Sequence, residues 1–306
     1  MKKWGKRIVL GGAALLVIAL GVIAWSLSVR PKDIPIPQPN GVDEVARISG
    51  MLPKMPQGSN YTDAPAPEIR AWIASTPTFR SDVTNLLKKE FLIRNTYSND
   101  SMRLLMSLRD VEKRLLAEAR DESIPVEDRM ELCLMTYELG SRGTRGGAII
   151  DGMVSTAVRV NSLRNLSTCS SNATSAHLKS AAAKLAQLIK QAPTLEDYRD
   201  GEAFFSSTVP VKAKIESWIE DLKGDGLTKI FGHLIGAFEP KMTEINRIEQ
   251  STLRDLLVRS YTLAKGSAPT NWSDLIPAYL PAPLIDPVAK TNLSFIPGTI
   301  YKFSSE

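Results

Sequence analysis

The chain has very little of the two residue types that most often build catalytic and metal sites, since its 306 residues include two histidines and two cysteines. His177 and His233 stand far apart and form no HxxxH or HExxH motif, which excludes the usual pairs of zinc ligands on one helix. Adding Cys133 and Cys169 completes no zinc-finger pattern. We therefore predict no catalytic, cofactor-binding or metal-binding residue and no cofactor.

Motifs for nucleophilic or phosphate chemistry are also lacking. The chain contains no GxSxG segment to nominate a serine nucleophile. The glycines of residues 143–152 (GTRGGAIIDG) are typical of a phosphate-binding loop, but a Walker lysine is missing and no strand precedes them, so they predict an interhelix loop. Glu131, Glu138 and Asp151 lie near basic residues, a pattern that predicts solvated helix faces. A Ser-His-Asp site assembled from distant residues stays open as an alternative, because such triads are spatial.

Excess charge is missing from most of the chain. Of the net charge of +5, four units come from Lys2, Lys3, Lys6 and Arg7, so residues 8–306 carry only +1. A nearly neutral domain has no long-range field to gather nucleic acid. We therefore exclude nucleic acid as a partner.

The N-terminal region does contain a long hydrophobic run. Residues 8–29 include no charged side chain, and their 22 residues are enough to cross a bilayer. A buried core helix would have a polar face, and a cleaved signal peptide would have a shorter apolar run and a better cleavage site. The run predicts an uncleaved transmembrane anchor whose partner is the lipid bilayer.

The charges beside this run predict its orientation. The basic residues 1–7 favour the cytoplasmic side as a short tail. The rest of the chain would then lie outside the cytoplasm. We expect a single-pass protein of the bacterial inner membrane with a periplasmic main domain.

Hydrophobic periodicity predicts a mainly α fold beyond the anchor, with an irregular antiparallel helical bundle over 68–265. Residues 30–67 are predicted to form a Pro-rich linker between the anchor and this bundle. A short helix near 42–50 is expected to interrupt the linker. Eight of the nineteen prolines fall between 31 and 67. The predicted helices of the bundle cover residues 81–97, 101–119, 123–140, 148–166, 174–191, 194–205, 211–222, 227–237 and 241–265.

The two cysteines are predicted to lie far apart. Cys133 falls within a helix that we expect to end at Gly140, and Cys169 falls past the end of the following helix. With about 1.5 Å of rise per residue, antiparallel packing would separate their levels by roughly 25–30 Å, whereas a disulfide needs Cα atoms within about 7 Å. The spacing argues against a disulfide without deciding the question.

The C-terminal region, 266–306, changes character to a Pro-rich loop followed by a predicted small β-hairpin, with strands over 292–296 and 299–303 around Pro297-Gly298. This tail resembles the C-terminal end of the major pseudopilins of type II secretion systems. The matching residues are Gly266, Pro269, Leu275, Leu280, Pro281, Asp286, Pro287 and Tyr301.

A closer likeness is to uncharacterised bacterial envelope proteins that combine one N-terminal span, a helical body and this pseudopilin-like tail. The N-terminus departs from pseudopilins, because the segment Gly5-Lys6 has no aromatic residue after the glycine and the span has no glutamate. The resemblance implies an envelope protein with no established activity.

Together these features predict a membrane-anchored, non-enzymatic extracytoplasmic protein that acts through contacts with an unknown protein of the envelope. Two alternatives stay open. One is a cell-envelope hydrolase whose site is not recognisable from sequence, and the other is an accessory subunit of a secretion or pilus-like system.

Overall fold

A computed structural model describes residues 35–56, 67–93, 100–209 and 227–293, with side-chain detail from 102 and from 236 in the last two ranges. This part of the chain is mainly helical and contains no strand, as the sequence predicted for the body. Its helices are α1 (Gly41–Met51), α2 (Pro67–Ala74), α3 (Phe79–Leu86), α4 (Asp100–Ala119), α5 (Val126–Arg142), α6 (Ile149–Cys169), α7 (Ser175–Gln191), α8 (Leu195–Thr208) and α9 (Leu227–Lys265).

Among the residues that the structure describes, no helix combines the length and apolar character that crossing a membrane requires. The predicted anchor at 8–29, the predicted helix at 211–222 and most of the predicted hairpin lie outside the described residues.

Helix α5 occupies the centre of the bundle. Nearly every residue from Met130 to Ser141 is buried, so this helix has no solvated face over most of its length. It packs against α4 on one side and α6 on another, while α9 covers α6 and α7. The bundle therefore has one continuous core, to which each of these helices contributes buried leucines.

Helix α1 lies within the range predicted as linker, but its residues join this core. Val45 and Ile48 are fully buried, and α1 packs along α4. The helix begins at an asparagine cap, because the Asn40 side chain accepts from the N–H of Val42. A short helix was predicted here; its burial was not.

Helix α3 ends eleven residues earlier than predicted, at Leu86 rather than 97. The cause is tertiary: the guanidinium of Arg142 donates to the carbonyls of Leu87 and Lys89, which supplies partners for the end of the helix. The chain then extends so that Phe91 enters the core.

Gly140 was predicted to cap α5, but the helix continues to Arg142. A Cβ at Gly140 would lie 2.7 Å from the side chain of Val158, so this glycine lets α5 and α6 approach closely. Its role is packing, not helix termination.

The segments predicted as two helices, 227–237 and 241–265, form the single helix α9 with Pro240 inside it. Proline removes one backbone hydrogen bond and normally breaks a helix. Here Phe238 and Met242 are both buried in the core on either side of Pro240. These contacts anchor both halves of the helix, and no break occurs.

The C-terminal segment folds back on itself before the predicted hairpin. Ile285 and Asn292 form an isolated antiparallel bridge, and the N–H of Leu293 donates to the carbonyl of Leu284 at 2.7 Å. Within the described part of the chain, residue 292 therefore pairs with the Asp-Pro loop that precedes it.

Candidate functional site

A fully buried ion pair joins three helices at the centre of the bundle. Arg159 of α6 donates through Nε to Oε1 of Glu249 on α9 at 3.0 Å, and its Nη2 contacts the same oxygen. Tyr137 of α5 donates its hydroxyl to that oxygen at 2.5 Å. The side chains of Arg159 and Glu249 are 1% and 2% exposed.

The surroundings keep Arg159 charged and Tyr137 protonated. Burial acts to lower the pKa of Arg159, but the Glu249 carboxylate outweighs burial and holds that pKa above its ordinary value. Burial also raises the pKa of the Tyr137 hydroxyl well above its usual range, so the hydroxyl keeps its proton and remains a donor. Yet Nη1 of Arg159 has no hydrogen-bond partner among the described residues, although a buried guanidinium ordinarily satisfies its donors.

An open groove of about 440 Å³ reaches down to this ion pair. We call it the α9 groove; it runs between the α7–α8 connection, α9 and the C-terminal segment. Its volume falls within the roughly 300–1,000 Å³ of ligand pockets. Apolar and polar side chains share its walls, among them Ile189, Leu195, Met242, Thr243, Asn246 and Gln250. Such a mixture can bury apolar groups and hydrogen-bond to a main chain.

A second buried polar group lies between α4 and α6. Asn161 donates to Oε1 of Glu112 at 2.9 Å, and Arg109 approaches the other oxygen at 2.5 Å without a hydrogen-bonding angle. Burial raises the pKa of Glu112, opposed by the hydrogen bond from Asn161 and the charge of Arg109. This carboxylate is incompletely satisfied, which makes its charge costly.

We predict that Glu112→Gln leaves the protein as stable at pH 7 or more stable, by up to about 1 kcal/mol. The folded-state pKa lies above the unfolded-state value, so the wild-type protein loses stability as pH rises from the unfolded pKa through the folded pKa. Urea unfolding from pH 4 to 8 should show a steeper loss of stability with rising pH in wild type than in the variant. Asp110→Asn, at an exposed position of the same helix, should keep the slope. A variant less stable than wild type at pH 7 would contradict the prediction.

The loop before α6 does not leave a helix N-terminus open for phosphate. The carboxylate of Asp151 accepts from the N–H of Ala148 at 2.7 Å, and Glu202 accepts from the N–H of Ile149 at 3.2 Å. These carboxylates occupy the place that an anion would take. The predicted interhelix loop is confirmed, but the predicted solvation of Asp151 is wrong, since it is fully buried.

Glu131 and Glu138 do lie on partly solvated faces, where they pair with Lys184 and Arg142. His177 lines a smaller groove of about 270 Å³ together with Glu127 and Ser180. Its Nδ1 is 4.0 Å from the Glu127 carboxylate, beyond hydrogen-bonding distance.

Ser180 makes no hydrogen bond to His177 within the described structure, so the three residues do not form the relay of a hydrolase. The side chain of His233 lies outside the described residues. In the same described ranges, no group of three potential metal ligands is found.

The two cysteines meet, contrary to the predicted separation. Nη2 of Arg129, one helical turn before Cys133, is 3.9 Å from Sγ of Cys169, so Cys169 packs against the face of α5 that carries Cys133; both thiols are buried and form no disulfide. The prediction placed α6 level with the end of α5. Instead, Gly140 packs opposite Val158, so α6 starts about two turns beyond α5, and Cys133 lies within roughly one turn of the level of Cys169.

Arg159 and Glu249 were not among the residues predicted from the sequence, although one signal points to them. Glu249 stands four residues after Ile245 and four before Leu253, on the buried stripe of α9, and Arg159 stands four before Leu163 on α6. A charged residue on the buried face of a helix needs a partner of opposite charge inside the protein. Sequence alone does not show which one, because they are ninety positions apart.

The fold and this site define a helical-bundle domain with a charged core and an open groove above it. Comparison with protein-family models, with curated proteins and with solved structures yields no match to the chain.

Proposed function

We propose that this chain is a single-pass membrane protein whose helical domain lies outside the cytoplasm and acts by binding another protein through the α9 groove. The charge-free run at 8–29 supports the anchor, and the basic residues before it support the orientation. The resemblance of the tail to bacterial envelope proteins supports the same compartment. The observation that carries the binding role is the open groove of about 440 Å³, whose walls combine apolar and polar side chains.

An extended segment of a partner protein is the occupant that this groove fits best. Asn246 and Gln250 line the groove and offer both donors and acceptors to a main chain. The carboxylate of Glu239 at the rim is 61% exposed and lies 3.7 Å from Arg199, so a basic side chain of the segment would share this carboxylate with Arg199. Nothing in this binding role requires a nucleophile or a metal.

The enzymatic alternative has less support. The smaller groove brings a histidine, a carboxylate and a serine together, but without the hydrogen bonds that would link them. The accessory role in a secretion or pilus-like system agrees with a binding function and differs only in the identity of the partner.

Photocrosslinking in intact membranes tests the binding role. We expect a crosslinking amino acid at Thr243 or Asn246 to capture a partner segment, which peptide mass spectrometry would identify. The same amino acid at Glu244, exposed on α9 but outside the groove, is the matched control. Equal capture from Glu244, or no capture from either groove position, would count against the groove.

Topology is tested separately. Protease added to spheroplasts should digest the helical domain, while protease added to inverted membrane vesicles should not. Digestion with the reverse pattern, or release of the whole chain into the soluble fraction, would overturn the proposed location and leave the groove experiment intact.

A further inference from the structure

The chain's two cysteines share one buried position where α4, α5 and α6 meet. Cys133 and Cys169 are each 1% exposed. Cys169 lies beside the end of α4, where its thiol donates to the carbonyl of Ala119 at 3.2 Å, and Arg129, one turn before Cys133 on α5, donates to the same carbonyl. Two cysteines on packed helices at nearly the same level can bring their Cα atoms within the roughly 7 Å that a disulfide needs.

Basic side chains surround one of the two sulfurs. Nη2 of Arg129 is 3.9 Å from Sγ of Cys169, and Arg120 lies nearby. The hydrogen bond from Cys133, opposed by burial and aided by the charges of Arg129 and Arg120, lowers the pKa of Cys169 to about 7. Burial raises the pKa of Cys133 well above its ordinary value. The thiolate form is thus favoured at Cys169, and thiolate is the reactive form of cysteine.

Helix register holds the pair in place independently of this chemistry. Gly140 of α5 packs against Val158 of α6 on one side of the pair, and the main chain of Ala119 receives both the Cys169 thiol and the Arg129 guanidinium on the other. Neither helix needs to slide for the sulfurs to meet.

We propose that Cys133 and Cys169 form an intramolecular disulfide that joins α5 to the end of α6. The oxidant is another disulfide, either a small one or one carried by a protein. The thiolate of Cys169 attacks one sulfur of the oxidant, which forms a mixed disulfide and releases one thiol. Cys133 then loses its proton to solvent and attacks the sulfur of Cys169, which expels the second thiol. The chain loses two hydrogens, and the oxidant disulfide becomes two thiols.

Burial determines when this exchange takes place. In the folded bundle both sulfurs are shielded from an oxidant, so exchange occurs late in assembly, when Arg129 already lies beside Cys169 but the helices have not yet closed over the sulfurs. Once the helices pack, the bond is shielded from reductants as well. An extracytoplasmic location, which rests on the proposed function, would supply the oxidising conditions; the geometry itself does not depend on it.

Oxidative refolding of the full-length chain in detergent tests the proposal. The protein is unfolded in urea, refolded in mixtures of reduced and oxidised glutathione, denatured, alkylated with iodoacetamide and weighed by mass spectrometry. We expect the wild type to lose two hydrogens and to carry no alkyl group. The oxidised protein should melt roughly 5–10 °C above the reduced protein, because the bond restricts the unfolded chain. Two alkylated thiols under oxidising conditions, or only intermolecular bonds, would overturn the proposal.

A relocated thiol provides the matched control. Combining Cys133→Ser with Leu134→Cys keeps two cysteines at nearly the same sequence separation but turns one by about 100° around α5. At the glutathione ratio that oxidises the wild type fully, this variant should remain mostly reduced. If it oxidises equally well, sequence proximity rather than the contact between α5 and α6 explains the bond, and the assignment fails.

Discussion

Arg159→Ala should destabilise the protein by about 3–5 kcal/mol, a large part of the 5–15 kcal/mol that holds a typical domain folded. The variant leaves the Glu249 carboxylate and the Tyr137 hydroxyl in the core without their cation. An uncompensated buried charge is more costly than the pair itself, because little water reaches it. Urea unfolding of the full chain, followed by circular dichroism, measures the loss.

Two matched variants distinguish the cost of leaving a buried charge unpaired from the cost of deleting a charged side chain. Arg159→Met combined with Glu249→Leu removes both charges and should cost far less than Arg159→Ala, since no charge is left unpaired. Lys184→Ala breaks an exposed pair with Glu131 and should cost under about 1 kcal/mol. If Arg159→Ala proved as mild as Lys184→Ala, the ion pair would not be buried as described.

Arg159 contributes both to the core and to the floor of the α9 groove. Replacing it should therefore affect partner binding as well as stability. The double variant should keep the bundle folded but replaces the two charged residues at the groove floor, Arg159 and Glu249, by apolar ones. A partner captured at Thr243 in wild type should therefore be captured much less in the double variant. Stability and binding are thus separable at this position.

The elements most predictable from sequence were those whose signals are local. The predicted helices at 101–119 and 174–191 each differ from the observed helix, α4 and α7, by one residue, although the cap of α7 is Thr174, whose hydroxyl accepts from the N–H of His177, and not a residue before it. An amphipathic stripe and a capping residue act within a few positions of each other, so periodicity is enough to locate them.

Elsewhere tertiary contacts decided against the local signal. Gly140 and Pro240 are typical helix terminators, yet each lies inside a helix because a buried contact outweighs the local preference. Aspartate is usually found on protein surfaces, but Asp151 is buried and its carboxylate caps the N-terminus of α6. The meeting of Cys133 and Cys169 depends on how far α6 extends past α5, which no spacing along the chain encodes.

Among the glycines in the described part of the chain, Gly201 is the one whose replacement by alanine should be most damaging. Gly201 of α8 lies directly against the carbonyl of Gly147, and an added Cβ would fall well inside the van der Waals distance of that oxygen. Backbone cannot turn aside as a flexible side chain can, so α8 must move away from the loop that precedes α6. This movement would strain the hydrogen bond between the hydroxyls of Tyr198 and Thr144. It would also strain the edge-to-face contact between the rings of Tyr198 and Phe238.

We expect a loss of about 2–4 kcal/mol, the range of overpacking in a rigid site. Gly236→Ala is the matched control, because Gly236 is also helical but has nothing within 4 Å of the position that an added methyl group would take. That variant should gain about 0.5–1 kcal/mol from higher helix propensity. The two alanines therefore shift the urea midpoint in opposite directions. Equal shifts would mean that α8 does not pack on the loop, and hydrogen exchange of the α8 amides would locate the change, since only Gly201→Ala should lower their protection.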